Sequence, residues 1–452
     1  MTTAILCVTT AGFAQERQIT SSPRAHNLDN NDNFSPDGRF LVYDTRETVG
    51  PGIENGQSIE KVEIETGKET VLYRPKAIVS GDRPAPGVAA VSWSPVADEV
   101  AFIHGPLVEE LDWRGPYGKP NRDGASVPGD GSGTLRWLDK RDIATGRDTT
   151  PGAHRGGTHR HEYTLDGKRI GFTYDDFLLP QYERTVGYMV PHPKAPAPAS
   201  HYFALLVPVV PAGTAKPGEI ERAWGDSWIG REGKMRAFIG KVRNDDGKTY
   251  EQSLFVIDIP DEVDITTADA GSATRYPSPP KGIQIRRLTH TAADGTVRGT
   301  VEGDRIAYYA MAQDGTKQIF VIASDGSDQN PDKAPVQLTH LPKGVDGGLR
   351  WHPNSNTVFC VSEGAVVATC AKPGDPRFGK PVFLTPRGGE NAEFGPPIDI
   401  VVSPDGTLLA YTRVVPTKNE AGKIVKNYAG KDFPQIFVLP FADADGDGIA
   451  DE

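Results

Sequence analysis

The apolar positions of the chain fall in short, strand-length segments separated by turns that are rich in Ser, Pro, Asp and Gly. One unit recurs: an apolar strand, a Ser-Pro-Asp-Gly-like turn and a second apolar strand. Asp-Gly or Asn between alternating apolar segments predicts a hairpin, because these residues tolerate positive φ. The copies cover residues 33–40, 92–100, 162–170, 300–306, 350–358 and 401–408, with a divergent copy at 227–238.

Each hairpin is followed by a predicted third strand, and most are followed by a fourth strand that ends near a threonine. The third strands are predicted at 58–64, 135–139, 254–259, 318–322, 366–369 and 435–439. The fourth strands are predicted at 70–73, 147–150, 286–289, 336–339 and 382–385. Four strands in each of seven repeats predict an all-β fold, a seven-bladed β-propeller.

The two ends of the repeat pattern predict how the ring closes. The last repeat lacks its fourth strand, whereas residues 17–21 resemble an isolated fourth strand that precedes the first repeat. We therefore expect the N-terminal strand to close the propeller, which removes exposed sheet edges. The third repeat is also expected to carry a long insertion at 177–218, and loops of that length are more often functional than idle.

Composition narrows the class of protein. The chain has 50 Gly and 38 Pro among 452 residues, nearly one residue in five, whereas average usage of the two is about 12%. A helical bundle is therefore disfavoured. The formal net charge of −11 argues against general nucleic-acid binding. No apolar run approaches the roughly 18 residues that cross a membrane, so we expect a soluble monomer.

The termini and the cysteines suggest a compartment. Residues 1–14 resemble the end of a secretory signal, although its basic region is missing. We predict a signal remnant at 1–14, a catalytic propeller at 15–440, an acidic tail at 441–452 and a secreted or periplasmic location. Cys360 and Cys370 flank a predicted hairpin turn. They are interpreted as two buried thiols, with a disulfide or a metal-binding pair as the alternatives.

Propeller geometry predicts that several His and Arg residues gather at one mouth of the central channel. The first strand of each blade lines the axis, and the second strand ends on the face where the first begins. His104 and Arg413 end second strands, and His159 and His161 begin the first strand of blade three. Arg298 and Arg350 begin the first strands of blades five and six. This convergence is the main functional indication in the sequence.

Residues 153–162 form the densest cluster, with a His-x-His spacing that places two imidazoles on one side of an extended strand. This spacing suits a metal, a paired base or an anion site. A metal would need further ligands, which His104 or Asp175 could supply. The alternative for His161 is a core histidine that is satisfied by its neighbours.

Two further side chains are candidates for chemistry. Tyr202 opens a strong strand and could supply a phenolic proton, although an aromatic that packs at a strand end fits equally well. Arg222 begins the first strand of blade four and could hold a carboxylate bidentately, with a surface ion pair as the alternative.

The C-terminal segment alternates carboxylates with small residues. Asp443, Asp445, Asp447 and Asp451 stand at relative positions 1, 3, 5 and 9, a spacing that suits Ca²⁺ and resembles the calcium repeats of thrombospondin type 3 or dockerin modules. The alternative is an acidic disordered tail. No cofactor is expected to be required for chemistry, and Ca²⁺ or Zn²⁺ are the structural metals that these residue types would take.

The stretches FSPDGR, FIHGP, RGGTHRHEYTLDGKRIGFTYDD and RRLTH resemble TolB-like seven-bladed propellers. Within that group the chain is similar to an uncharacterised bacterial propeller family and to the ulvan lyases of polysaccharide lyase families 24 and 25. Oligogalacturonate lyases, which use a related propeller with a His-bound metal, are weaker relatives. The resemblance spans residues 17–439.

This resemblance implies a secreted polysaccharide lyase that cleaves ulvan by β-elimination at its uronic acid and leaves 4,5-unsaturated uronate ends. In the family a His/Tyr/Arg set does this work. By position, His104 and the His159/His161 pair are the candidates for base and partner, Tyr202 for the acid and Arg222 for the neutraliser of the carboxylate. His161, Arg298, Arg350 and Arg413 would then bind an anionic polysaccharide. The chain departs from the family pattern because no second histidine follows soon after His104. The alternative is a non-catalytic periplasmic propeller that binds a protein or a glycan.

Overall fold

The computed structural model describes residues 15–29, 32–47, 52–79, 81–388, 394–441, 443 and 446–450. Their strands form seven antiparallel blades around a central channel, so the predicted seven-bladed β-propeller is confirmed. The N-terminal strand is β1 (Arg17–Gln18). Blade one contains β2 (Phe40–Asp44), β3 (Ile59–Glu63) and β4 (Glu69–Tyr73). Its inner segment pairs with β2 through bridges of Asn27 with Asp44 and of Phe34 with Leu41.

The next three blades have four strands each. Blade two contains β5 (Val88–Trp93), β6 (Glu99–His104), β7 (Asp123–Pro128) and β8 (Arg136–Trp137), with a short helix α1 (Leu111–Arg114) before β7. Blade three contains β9 (Gly156–Tyr163), β10 (Ile170–Asp176), β11 (Thr185–Pro191) and β12 (His201–Leu205). Blade four contains β13 (Ile220–Ile229), β14 (Met235–Arg243), β15 (Tyr250–Asp258) and β16 (Gln284–Arg287).

The last three blades complete the ring. Blade five contains β17 (Arg298–Gly299), β18 (Arg305–Met311), β19 (Lys317–Ala323) and β20 (Val336–Gln337). Blade six contains β21 (Gly347–Trp351), β22 (Thr357–Ser362), β23 (Ala365–Cys370) and β24 (Pro381–Phe383). Blade seven contains β25 (Ile398–Val402), β26 (Leu408–Val415), a projecting hairpin of β27 (Thr417–Lys418) and β28 (Ile424–Val425), and β29 (Phe433–Pro440).

Ring closure follows the prediction from the sequence. Strand β1 pairs antiparallel with β29, with Arg17 opposite Val438 and Gln18 opposite Phe437. The N-terminal strand therefore supplies the fourth strand of the last blade.

The outer halves of blades two and three differ from the prediction. The segment predicted as a third strand at 135–139 contains the fourth strand, β8. The third strand of this blade is β7, which the sequence analysis missed because it begins with Asp-Gly, a pair typical of turns. No strand forms at 147–150. The expected insertion at 177–218 contains β11 and β12, which are the third and fourth strands of blade three. Its Pro-rich stretch is the turn between these two strands.

Apolar clusters between neighbouring blades make up the core. Eight such clusters are found in the described part of the chain: one large cluster between each pair of adjacent blades, and a small second cluster between blades one and two. Cys360 and Cys370 are buried, free thiols on β22 and β23, and they stand opposite Val367 and Thr357 and not opposite each other. Among the helices of the described residues, none is long and apolar enough to span a bilayer.

Candidate functional site

A shared irregularity shapes the channel. The inner strands of blades two, three, four, six and seven each carry a β-bulge at the same point of the strand. The residue in the bulge has positive φ in all five blades: Ala90, Arg160, Gly225, Gly348 and Asp399. Arg160 and Asp399 have φ of 58° and 57°, a conformation that costs a non-glycine residue about 1–3 kcal/mol and that concentrates at functional sites.

Arg160 and Asp399 line a hollow of about 250 Å³ on the face where the inner strands begin, which we call the inlet hollow. Asp29, Asp294 and Asp346 also line it. Arg160 donates to the carbonyl oxygen of Asp29 at 2.9 Å. Burial, together with the nearby Asp29 carboxylate, raises the pKa of Asp399 to about 6 although Arg160 opposes this shift. Four carboxylates against two cations, Arg160 and Lys317, make the inlet hollow unfavourable for an anion.

A polar cluster lies beside the inlet hollow, between blades two and three. We call it the rim cluster, and its members are Tyr117, Arg122, His159, Asp175 and Arg184. The His159 Nε2 lies 2.8 Å from Asp175 Oδ2, and Arg184 Nη2 lies 2.5 Å from the same oxygen. On the other side of the ring, His159 Nδ1 lies 2.5 Å from Arg122 Nη1. The guanidinium of Arg122 also stacks 4.9 Å from the centre of the Tyr117 ring.

These neighbours favour one tautomer of His159. A carboxylate only accepts hydrogen bonds, so Nε2 carries the proton and Nδ1 presents its lone pair to Arg122. Burial and the charges of Arg122 and Arg184 hold the pKa of His159 well below its usual range. Burial would raise the pKa of Asp175, but its bonds to His159 and Arg184 lower it far more. The cluster thus holds a neutral imidazole, an ionised carboxylate and two cations.

Two glycines allow close backbone approaches beside His159. A Cβ atom on Gly157 would lie 2.0 Å from the carbonyl oxygen of Lys119 and 3.1 Å from the backbone nitrogen of Arg122, both in the loop between β6 and β7. On Gly156 a Cβ would lie 1.9 Å from the carbonyl oxygen of Asp175 on β10. Any larger residue at Gly157 would push the loop outward and separate Arg122 from His159. The Gly-Gly pair before Thr158 therefore positions the rim cluster.

Further cations continue the rim towards blade four. Arg222 lies near the start of β13, is partly exposed, and stacks 4.6 Å from the Trp224 ring. The Trp224 Nε1 donates to Asp294 at 2.7 Å, which joins this sector to the inlet hollow. The backbone nitrogen of Ala223 donates to the carbonyl oxygen of Arg184, so the chain segments that carry Arg184 and Arg222 are adjacent. The rim between blades two and four is consequently cationic, whereas the inlet hollow is acidic.

A second hollow opens at the other end of the channel, beneath the turns between first and second strands. This hairpin hollow has a volume of about 420 Å³, and Asp32, Glu162, Arg298 and Arg350 line it. Arg350 Nη1 lies 3.4 Å from Asp32 Oδ1. Burial and the neighbouring Arg350 lower the pKa of Arg298 to about 9. The structure therefore places Arg298 and Arg350 away from the inlet, where the sequence had placed them with the histidines.

His104 does not face the channel. It is fully buried, with Nε2 2.9 Å from the Tyr73 hydroxyl and Nδ1 2.6 Å from the carbonyl oxygen of Gly105. Trp137 packs edge-on against its ring at 5.0 Å. Burial lowers the pKa of His104 to about 4. It occupies an aromatic pocket between blades one and two because the side chain turns outward at the end of β6.

His161, Tyr202 and Arg413 also lie away from the mouth. His161 is buried between blades two and three, with its Nε2 3.1 Å from the Thr158 hydroxyl. Tyr202 lies on β12, the outermost strand of blade three, and is 2% exposed. Arg413 reaches towards the N-terminal segment, where it pairs with Glu16 at 3.1 Å. Of the proposed catalytic set, the structure thus brings His159 and Arg222 to the inlet rim.

The C-terminal segment packs against blade six. Asp443 Oδ2 accepts from the Gly448 nitrogen at 2.7 Å, and Asp447 Oδ1 accepts from the Ile449 nitrogen at 2.9 Å. Arg377 forms a close ion pair with Asp447. Asp445 and Asp451, the other two predicted calcium ligands, lie outside the described residues.

Sequence reasoning missed three members of the rim cluster. Tyr117, Arg122 and Arg184 sit in loops or at strand ends that are not part of the repeated hairpin unit. Asp175, considered above as a metal ligand, instead pairs with His159. One signal in the sequence could have indicated Arg122. This residue ends the Gly- and Pro-rich loop between β6 and β7, and that loop lies on the face where β9, the strand of His159, begins.

Comparison with known proteins identifies relatives of the chain. It is 31% identical over 427 residues to the uncharacterized protein YidR of Escherichia coli (strain K12), covering 87% of this chain and 94% of that protein. Residues 87–202 match a family model described as a protein of unknown function, DUF3748. These residues include most of blades two and three and all five members of the rim cluster.

Several solved structures share the architecture at low identity. Putative TolB from Agrobacterium tumefaciens is 13% identical with a TM-score of 0.39, over 69% of this chain and 81% of that one. An oligogalacturonate lyase from Vibrio parahaemolyticus is 11% identical with a TM-score of 0.40, over 95% and 94%. A periplasmic gluconolactonase from Pseudomonas aeruginosa is 15% identical with a TM-score of 0.45, over 88% and 98%. Such scores carry no argument about activity.

Proposed function

The chain belongs to the family that includes the Escherichia coli protein YidR, and from that premise we propose that it is a lyase of uronic-acid polysaccharides that acts at the rim cluster. The single observation that carries the proposal is the neutral His159 held between Asp175 and Arg122. We propose ulvan as its substrate, and a secreted or periplasmic location in keeping with a polymer outside the cell.

The chemistry of β-elimination explains why these residue types suit the reaction. The proton on C5 of a uronate is too weakly acidic to be removed while the adjacent carboxylate keeps its full charge. A cation at the carboxylate stabilises the negative charge that develops in the transition state. A neutral imidazole then removes the proton. The rim cluster contains both groups in direct contact.

The proposed sequence of events starts with an exchange of partners. The substrate carboxylate displaces His159 Nδ1 from Arg122 and takes the fork of the guanidinium, which matches a carboxylate bidentately. The released Nδ1 takes the C5 proton while Asp175 holds Nε2 and stabilises the imidazolium. The C–H electrons form the C4=C5 double bond as the C4–O4 bond breaks. Tyr117, stacked against Arg122, is placed to give the departing O4 its proton.

The experiment measures ultraviolet absorbance of the unsaturated uronate product when purified protein is given ulvan, desulfated ulvan or polygalacturonate. We expect wild type to generate the chromophore, and His159→Asn and Arg122→Lys to lower the rate about 10²–10⁴-fold. The matched control is His290→Asn, which removes an imidazole that is also bonded to an aspartate, Asp328, at a partly exposed position in blade five. It should keep the wild-type rate.

A specific observation favours a second function, a non-catalytic propeller that binds a glycan or a protein. The His159 ring lies between two charged side chains, with Nε2 2.8 Å from Asp175 Oδ2 and Nδ1 2.5 Å from Arg122 Nη1, so the cluster is held together by its own charges without substrate. If no polysaccharide yields the chromophore while the protein still retards ulvan in affinity electrophoresis, and Arg122→Lys weakens the retardation, the lyase proposal is wrong and the binding function is supported.

A further inference from the structure

A second group of buried ionisable side chains lies between blades two and three, apart from the rim cluster. Asp123 at the start of β7, Asp139 after β8 and His154 before β9 are each less than 5% exposed. Each offers one ligand atom, and these atoms all lie within 4.8 Å of one another. The group is distinct from the rim cluster, since it includes none of its members. We call it the interblade cluster.

The spacing of the ligand atoms fits a small metal ion. His154 Nε2 lies 3.4 Å from Asp123 Oδ1 and 3.4 Å from Asp139 Oδ1. Ligand atoms about 2.1 Å from a tetrahedral Zn²⁺ are about 3.4 Å apart from one another. A proton on Nε2 would instead be directed at one oxygen, yet neither ring nitrogen of His154 has a hydrogen bond of acceptable geometry.

The two carboxylates of the cluster need two positive charges. Arg114 pairs with Asp123 through the other carboxylate oxygen, Oδ2. The second negative charge is balanced either by a protonated His154, whose pKa the two carboxylates raise to about 9, or by a metal ion in place of that proton. Asp139 is held by bonds to neutral donors, from the Gly124 nitrogen at 2.8 Å and from the Thr158 hydroxyl at 2.7 Å. Bonds of this kind orient carboxylates that bind metals. A buried, unbalanced carboxylate is costly unless a cation accompanies it.

The cluster is also accessible. A cavity of about 160 Å³ reaches Asp123 and Asp139 and is lined further by Trp113, Trp137 and Arg141. Trp113 is 66% exposed, so the cavity extends to the surface. An ion could enter by this route, and a ligand molecule could occupy the fourth position on the cavity side.

We propose that Asp123, Asp139 and His154 bind one Zn²⁺ ion between blades two and three, with a fourth coordination position open to this cavity. Two carboxylates and an imidazole are ligands that Zn²⁺ accepts, and three protein ligands with an open position are typical of exchangeable sites. The site holds the two blades together and is independent of the function proposed for the rim cluster.

The test uses the full chain, stripped with a chelator and then titrated with Zn²⁺ by calorimetry and by thermal unfolding. We expect one equivalent of Zn²⁺ to bind and to raise Tm, because an ion that binds only the folded state stabilises it. The Co²⁺-substituted protein should show the strong visible absorption of a tetrahedral site. Asp139→Asn should abolish binding, and an excess of Ca²⁺ should not displace Zn²⁺ from the wild-type site. Asp328→Asn, which disrupts the surface His–Asp pair of blade five, should bind Zn²⁺ like wild type.

Thr158→Val keeps all three ligands and tests the site if Asp139→Asn does not fold. Loss of the hydroxyl that orients Asp139 should weaken Zn²⁺ binding about 10–100-fold. The proposal is overturned if the stripped wild-type chain binds far less than one equivalent of Zn²⁺, or if Asp139→Asn and Thr158→Val both bind it as tightly as wild type.

Discussion

At the residue scale, the strongest charge arrangement in the channel wall is structural and not catalytic. Arg236 on β14 is 1% exposed and bonds Glu162 Oε2 at 2.9 Å and Asp226 Oδ2 at 2.5 Å, with its guanidinium 4.5 Å from the Trp228 ring. A Cβ on Gly171 would lie 2.1 Å from the guanidinium carbon. The missing side chain of Gly171 therefore makes the space through which Arg236 ties blade four to blade three.

Arg236→Ala should lower the free energy of unfolding by about 3–5 kcal/mol, because it leaves two carboxylates in the channel wall without their cation. Arg39→Ala is the matched control, since Arg39 pairs with Glu63 at the surface with 64% of its side chain exposed. Its loss should cost less than about 1 kcal/mol. Chemical denaturation of both variants measures this difference. Equal losses would contradict the structural role assigned to Arg236.

Asp399 makes a prediction about pH. Its pKa is raised to about 6 in the folded protein, against about 3.9 in an unfolded chain. The folded state therefore binds the proton more tightly between these values, and the free energy of unfolding falls as pH rises through this window. Asp399→Asn should reduce this pH dependence, and at pH 7 it should raise the free energy of unfolding by up to about 3 kcal/mol relative to wild type.

The measurement is denaturant unfolding of wild type and variant at a series of pH values from about 4 to about 7. Asp346→Asn removes an exposed carboxylate of the same inlet hollow and should change stability by no more than about 0.5 kcal/mol. A parallel pH dependence in wild type and Asp399→Asn would show that another group causes the loss.

Side-chain direction is what the sequence could not supply at this scale. His104 and His159 both stand at strand ends near the inlet face, yet one turns into an aromatic pocket and the other into the rim cluster. The bulges of the inner strands add a residue and change which side chains face the channel, and their positions depend on contacts between blades. The spacing of histidines along the sequence indicated the cluster at 153–162. The side chains that contact these histidines lie on distant segments of the chain, which the spacing could not indicate.

At the element scale, two devices explain why the repeat could be read from the sequence. In the hairpin turns of blades one and seven, the Ser35 and Ser403 hydroxyls donate to Asp37 and Asp405 and accept from the backbone nitrogens of Phe40 and Leu408. These local bonds specify the turn whatever packs around it, so the hairpins were predicted reliably. Where turns lack this chemistry, as around β7 and between β11 and β12, the assignment of strands was wrong.

The threonine at the end of the fourth strand has an equally local role. Its hydroxyl accepts from a backbone nitrogen of the third strand where the fourth strand departs. Thr289, Thr339, Thr385 and Thr20 accept from the nitrogens of Leu254, Ile319, Val366 and Ile436 at 2.8–3.2 Å. The threonine hydroxyl thus replaces the backbone carbonyl that would accept this hydrogen bond if the fourth strand continued. This explains both the recurring threonine and the likeness of residues 17–21 to a fourth strand.

Gly157 offers a prediction about how elements position the site. Gly157→Ala would place a methyl group 2.0 Å from the carbonyl oxygen of Lys119, so the loop that carries Arg122 must move away. We expect a loss of about 1–3 kcal/mol in stability and at least a tenfold loss in the activity or anion binding of the rim cluster. The ¹⁵N signal of His159 Nδ1 should shift as its bond to Arg122 is lost.

Gly146→Ala is the matched control, because nothing lies within 4 Å of a Cβ at that position. It should leave stability within about 0.5 kcal/mol of wild type and leave the His159 signal unchanged. If Gly157→Ala also leaves that signal unchanged, the close approach of the loop is not what holds Arg122 against His159.

At the scale of the whole molecule, closure by the N-terminal strand joins the two ends of the chain. Ile19 donates its backbone N–H to the carbonyl oxygen of Ile436 at 2.9 Å, and its side chain is buried with residues of blades one and seven. The Thr20 hydroxyl donates to Gln435 Oε1 at 2.8 Å. Burial of Ile19 contributes about 1.5–3 kcal/mol, and the hydrogen bonds add about 1 kcal/mol each.

A chain that starts at Ser22 should therefore be about 5 kcal/mol less stable than the full chain and should self-associate, because β29 becomes an exposed edge. A synthetic peptide of residues 15–21, added in excess, should restore Tm and the oligomeric state of the full chain by adding back the missing strand. The same peptide with Ile19→Pro cannot donate to Ile436 and should restore neither. Calorimetry and size-exclusion chromatography measure the two effects. If the shortened chain keeps the wild-type Tm, or if both peptides rescue it equally, closure of the ring does not depend on this strand.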